Sequence, residues 1–172
     1  MLKLNFSPFP TLTTERLSLR QLMPEDADAI FSLRNNEIVN QYLGRPKATS
    51  AAEAVAFIDK ITKGIANNQS MYWVISLKED PQLIGTICIW NIDIEKDTAE
   101  IGYELLPAFH GKGIMQEALA AVIGFGFGTM QLKTIAAYTV PGNMASSKLL
   151  ERNGFKQIGT EGEEVIYELQ RS

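Results

Sequence analysis

The chain has 172 residues, 45% apolar and 21% charged, which fits a single folded domain over residues 1–172 and excludes a disordered chain. A net charge of −4 argues against a general nucleic-acid binder, whose affinity comes from basic surface. One cysteine, Cys88, excludes an intrachain disulfide framework, and with one histidine beside it no zinc site of common type is expected.

Met1-Leu-Lys-Leu-Asn-Phe-Ser-Pro8 lacks the apolar core of a signal peptide, and no apolar run is long and unbroken enough to span a bilayer. The expectation is a cytoplasmic protein with no membrane partner. Arg16 to Leu22 alternates polar and apolar residues, which predicts a strand with one buried face. Pro24-Glu-Asp-Ala-Asp28 puts proline and acids in a first helical turn. Ser50-Ala-Ala-Glu53 has capping-box spacing and opens a second helix, with Gly64 as its stop. Met71 to Leu77, Leu83 to Ile92 and Ala99 to Leu106 read as strands joined by short turns, hence antiparallel neighbours.

After Gly113 an apolar helix begins, broad-faced enough to lie on a sheet, with Gly124-Phe-Gly-Phe-Gly128 in its tail as a close-packing segment. Thr134 to Val140 is a strand. Asn143 starts a short helix that ends near Asn153-Gly154, and Phe155–Ile158 and Val165–Leu169 close the chain as a strand pair around Gly159 to Gly162. The strand–helix–strand unit from 99 to 140 predicts a right-handed parallel crossover. The total is an α/β (α+β) domain of about seven strands and four helices.

The most informative stretch is Tyr103-Glu-Leu-Leu-Pro-Ala-Phe-His-Gly-Lys-Gly-Ile-Met-Gln-Glu-Ala-Leu119. A strand ends at a proline, two glycines follow one residue apart, and a helix starts at once. Glycines allow positive φ and close approach of the backbone to a ligand, and the free N–H groups at a helix start form an anion site. A phosphate-bearing ligand at Gly111 to Met115 follows. The P-loop is excluded because Gly113, not Ser or Thr, follows Lys112; the dinucleotide fingerprint is excluded because Gln116 stands where its third glycine belongs.

His110-Gly111-Lys112-Gly113-Ile114-Met115 instead resembles the acyl-CoA signature Gln/Arg-x-x-Gly-x-Gly/Ala of the GNAT superfamily of N-acetyltransferases. Asn143-Met-Ala-Ser146 through Asn153-Gly-Phe155, Thr13 to Arg20, Leu83-Ile-Gly-Thr86 and Ala99-Glu-Ile-Gly-Tyr103 resemble further segments of that family. They are similar to the branch that contains the ribosomal-protein N-terminal acetyltransferases of the RimJ/RimL type. His110 and Met115 depart from the signature at its first and last positions.

The resemblance implies a mostly antiparallel sheet that splays between its fourth and fifth strands. It implies acetyl-CoA as co-substrate and a primary amine as acceptor, either a protein or peptide N-terminus or a small molecule such as a polyamine, amino acid or drug. It further implies that Leu105 and Leu106 pair with the pantetheine arm, that residues 111–115 hold the diphosphate, and that Asn143 hydrogen-bonds the arm.

Acetyl transfer needs a base for the amine and a proton for the leaving thiolate. Glu100 and Glu104 share a strand face about 13 Å apart. Glu100 is the expected water-relayed base, and Glu104 is either substrate-facing or structural. Ser146 is the expected thiolate donor, with Tyr103 and Tyr138 as alternatives. His110 is assigned to the coenzyme or to solvent, and Lys112 to phosphate charge or to solvent. The first two helices and the 64–71 loop are expected to form the acceptor groove, which Trp73 or Trp90 could also line. A sensor that binds acyl-CoA without turnover is the alternative from another class. A monomer and a homodimer both fit the sequence.

Overall fold

In the computed structural model, which describes residues 2–172, alternation along one central strand sets the layers. Tyr72 and Trp73 are neighbours in β3 (Met71–Leu77) and therefore point to opposite sheet faces. Tyr72 meets Phe57 of α3 (Ala51–Ala66) edge-on, ring centres 5.8 Å apart. Trp73 meets Phe125 on the other face, centres 5.2 Å apart at 84°. Trp73 is fully buried and its indole N–H donates to the Pro10 carbonyl at 2.8 Å, so neither its apolar body nor its polar handle is left unmatched.

The strands are β1 (Leu12–Thr13), β2 (Leu17–Arg20), β3, β4 (Asp80–Asp93), β5 (Thr98–Leu105), β6 (Thr134–Thr139), β7 (Lys156–Glu161) and β8 (Glu164–Gln170). They form one sheet in the order β1-β2-β3-β4-β5-β6-β8-β7. Every neighbouring pair is antiparallel except β5–β6. On the Tyr72 face lie α1 (Ala27–Asn35) and α3; on the Trp73 face lies α4 (Ile114–Gly124). The remaining helices are α2 (Glu37–Asn40) and α5 (Met144–Arg152). Among the described residues no helix is long and apolar enough to cross a membrane.

The mixed, mostly antiparallel sheet with helices on both faces is the expected class, with one more strand and one more helix. The two-residue β1 is too short for an alternating pattern. The four-residue α2 is too short for an apolar stripe; its signal is local, because the Asn36 side chain accepts from the N–H groups of Ile38 and Val39. Gly64 does not stop α3, which runs on to Ala66.

The last turn is tighter than expected. Gly159 lies in the ladder opposite Ile166 at a bulge, and the chain reverses at Gly162, whose φ is 61°. The glycine-rich tail of α4 is a π-helical turn, Phe125–Thr129. Only Gly126 there makes a close approach: a Cβ would lie 3.0 Å from Ile135 and 3.3 Å from Leu132, whereas Gly124 and Gly128 face open space.

Candidate active site

The site begins where two parallel strands part. β5 and β6 pair at Thr98–Thr134, Ala99–Ile135 and Glu100–Ala136, and no further. Beyond Glu100, β5 stays bonded to β4 up to Leu105, while β6 stays bonded to β8 up to Thr139. A wedge opens between them, and its mouth continues into a cavity of about 500 Å³.

The glycine turn forms one wall. Gly111 and Gly113 have φ of 74° and 75°, left-handed values that glycine adopts without the strain a side chain brings. Gly113 is the N-cap of α4. Among the described residues, none of the main-chain N–H groups from 111 to 116 finds an acceptor; the next bonded donor is Glu117, to Gly113 at 3.2 Å. A row of free donors at the positive end of a helix is an anion site. Gly111, Gly113, Ile114, Met115 and His110 line the cavity, whereas Leu106 and Lys112 do not. The Leu106 N–H is used inside the sheet, on Ile84, and the Lys112 ammonium lies 5.7 Å over the Phe109 ring. His110 turns back to Leu105, Nε2 to carbonyl 2.8 Å, and so occupies one of the groups expected to pair with the pantetheine arm.

α5 forms the opposite wall. Asn143 caps it, its side-chain oxygen accepting from the Ser146 N–H at 3.2 Å, and this fixes the first turn. Ser146 then lies 2.7 Å from the Tyr103 hydroxyl, and both line the cavity beside Leu105 and Asn143. Burial pushes the Tyr103 phenol upward and the Ser146 hydrogen bond offsets this in part, so Tyr103 remains a protonated donor at neutral pH. The two helices are joined by a reciprocal amide pair: Gln116 Nε2 donates to Asn153 Oδ1 at 2.9 Å, and Asn153 Nδ2 donates back at 2.8 Å. Gln116, where the dinucleotide fingerprint fails, thus spans the cleft wall.

Glu100 and Tyr138 lie elsewhere. Strand alternation puts Glu100, Gly102 and Glu104 on the face opposite Ile101, Tyr103 and Leu105. Glu100 stands at the root of the wedge, opposite Trp90 and Ala136, outside the cavity lining. Burial raises its pKa, a hydrogen bond with Asn91 lowers it, and Glu164 and Glu161 raise it. Tyr138 is more than a third exposed near the same acids, its phenol pushed up by burial and then by Glu100. Tyr103, not Tyr138, is therefore the tyrosine beside Ser146. Cys88 is not a candidate nucleophile, since burial pushes its thiol up to about 12.

Ile38, Val39, Tyr42, Leu43 and Glu104 also line the cavity. α2 and the segment after it build this part of the lining, whereas neither α1 nor α3, the two helices expected there, nor the 64–71 loop, Trp73 or Trp90 contributes to it. Glu104 pairs with Arg45, whose Nε also donates to Asn40 at 2.8 Å. Arg45 Nη2 is buried without an acceptor among the described residues. Among those residues no group of metal-ligating side chains gathers.

Comparison with known proteins places this architecture. The Acetyltransferase (GNAT) domain family matches residues 16–156. The uncharacterized N-acetyltransferase YoaA of Bacillus subtilis is 34% identical over 88% of this chain and 85% of its own length. The uncharacterized N-acetyltransferase p20 of Bacillus licheniformis is 36% identical over 87% and 84%. The crystal structure of an acetyltransferase from Agrobacterium tumefaciens superposes with a TM-score of 0.82 at 26% identity, covering 98% of each chain. The free amides of the turn, the strand wedge and these relatives lead to one conclusion: the chain belongs to the GNAT family and is an acetyl-CoA-dependent N-acetyltransferase.

Proposed function

We propose that the cavity seats acetyl-CoA with its diphosphate on the main-chain N–H groups of residues 111–116 and its acetyl group in the β5–β6 wedge, and that the acceptor is a protein or peptide α-amine. The row of unbonded amides carries this reading. Leu105 and Asn143 flank the arm, with Leu106 next to it in the chain, His110 and Met115 complete the turn, and Lys112 offsets phosphate charge from outside the cavity.

The amine attacks the thioester carbonyl and the C–S bond breaks. Ser146 passes a proton to the leaving sulfur as it takes one from the Tyr103 hydroxyl, which solvent then reprotonates. Glu100, whose carboxyl is pushed above its usual range by burial, takes the amine proton through water at the root of the wedge.

Two observations favour an α-amine over a polyamine. The one carboxylate lining the cavity among the described residues, Glu104, is already paired with Arg45, while Lys148 and Arg152 line the same space. Among these residues no unpaired carboxylate is left to hold a polycation. The [ribosomal protein uS5]-alanine N-acetyltransferase of Escherichia coli, 26% identical over 88% of this chain, acts on such an amine and supports the reading.

The test is thiol release from acetyl-CoA with short peptides bearing a free α-amine, the same peptides Nα-blocked, and a set of polyamines. Turnover confined to free α-amines is expected. Turnover with polyamines alone favours the small-amine reading. Coenzyme binding without release on any acceptor favours the sensor.

A further inference from the structure

The glycine turn is held from behind by a side chain that never enters the cavity. Arg16 precedes β2, and its Nη1 donates to the Lys112 carbonyl at 2.9 Å. Its Nε donates to Glu117 Oε1 at 2.8 Å, and its main-chain N–H to Glu117 Oε2, also at 2.8 Å. The Thr14 hydroxyl donates to the same carboxylate. Arg16 Nη2 lies 3.5 Å from where a Cβ on Gly113 would stand. One guanidinium therefore braces both the turn and the first turn of α4.

A trans peptide is planar, with its C=O and the following N–H on opposite edges. Fixing the Lys112 carbonyl on Arg16 therefore fixes the Gly113 N–H on the other edge, away from Arg16. Gly113 lines the cavity, and Arg16 and Lys112 do not. With glycines at 111 and 113, this peptide plane has little steric reason of its own to hold one orientation. We propose that Arg16 is a positioning residue: by holding the Lys112 carbonyl outward it aims the Gly113 N–H at the coenzyme diphosphate. This rests on the coenzyme placement given under Proposed function.

The test is calorimetric titration of the full chain with coenzyme A, at low and high salt, for wild type, Arg16→Met and Arg16→Lys. Lysine keeps the charge near Glu117 but lacks the fork that reaches the Lys112 carbonyl as well. Both variants are expected to bind about tenfold more weakly. The loss should be the same at both salt concentrations, with the acetyl-CoA KM raised and kcat within about twofold of wild type. Full affinity in Arg16→Lys, or a loss that shrinks with salt, overturns the proposal in favour of a simple charge effect. If Arg16→Met does not fold, Arg16→Lys decides alone. Wild type failing to bind coenzyme A overturns the coenzyme placement as well; wild-type binding with unchanged variants overturns only the role of Arg16.

Discussion

The hydroxyls of Tyr103 and Ser146 stand 2.7 Å apart, joining the end of β5 to the first turn of α5 across the wedge. Neither would be placed without a second device: the β4 ladder holds Tyr103 opposite Ile87, and the Asn143 cap holds Ser146. The pair is neutral, since burial keeps the phenol protonated. It can donate a proton to a thiolate without first acquiring one.

Ser146→Ala should lower kcat by about a hundredfold with the acetyl-CoA KM changed by less than about threefold, the pattern of a lost proton donor. Tyr103→Phe should cost less, because Ser146 remains. The double variant should be no slower than Ser146→Ala, since the two act as one unit. Steady-state rates on the four proteins check this, and additive losses would separate the two groups.

Glu100→Gln should slow turnover and remove the acid limb of the kcat/KM profile, with coenzyme affinity retained. Its folded pKa is raised, first by burial, so the folded state holds the proton more tightly than the unfolded chain. Its contribution to stability is then full below the unfolded value of about 4.3 and lost as pH rises through the folded value. Glu100→Gln should melt higher than wild type near pH 8, and the gap should close towards pH 4. Thermal scans across that range check the sign.

Gly85→Ala should destabilise the fold by about 2 kcal/mol or more. A Cβ there would lie 2.5 Å from the Glu104 carbonyl and 3.1 Å from the Leu105 Cα, both main chain, so β4 and β5 must separate. Leu105 lines the cavity, so the acetyl-CoA KM should rise as well. Urea unfolding gives the first effect and initial rates the second.

Glu104→Gln should cost about 2 kcal/mol, because it leaves the Arg45 guanidinium, already with one buried unpaired nitrogen, without its carboxylate. Glu104→Gln with Arg45→Met should recover part of that loss. Both proteins should show an altered acceptor KM and an unchanged acetyl-CoA KM. A double-mutant cycle in urea, with kinetics alongside, measures each term.

Much of this was legible in the chain because its signals are local and strong. Met71–Leu77 matches its predicted strand, since a run of β-formers ends at the charged turn that follows. Asn143 caps α5 as its spacing suggests, and the glycine turn before α4 has the geometry its two glycines imply. What was hidden depends on contacts distant in sequence. Tyr103 and Ser146 are 43 residues apart, and nothing in either segment says which tyrosine faces which serine. The same holds for Arg16 and Glu117, 101 residues apart. Glu100 and Glu104 share a strand face as expected, yet Glu104 reaches the cavity and Glu100 does not, because the cavity opens only where β6 has already turned away.

The Gln116–Asn153 pair uses the oxygen and the nitrogen of both amides, so its two strands of interaction lock the separation of α4 and α5 like a spacer. A cleft with its gap preset has no closing motion to wait for. Capture of coenzyme should therefore follow single-step kinetics, first order in coenzyme concentration with no plateau in stopped flow, and Gln116→Ala should introduce the plateau that marks a slow rearrangement.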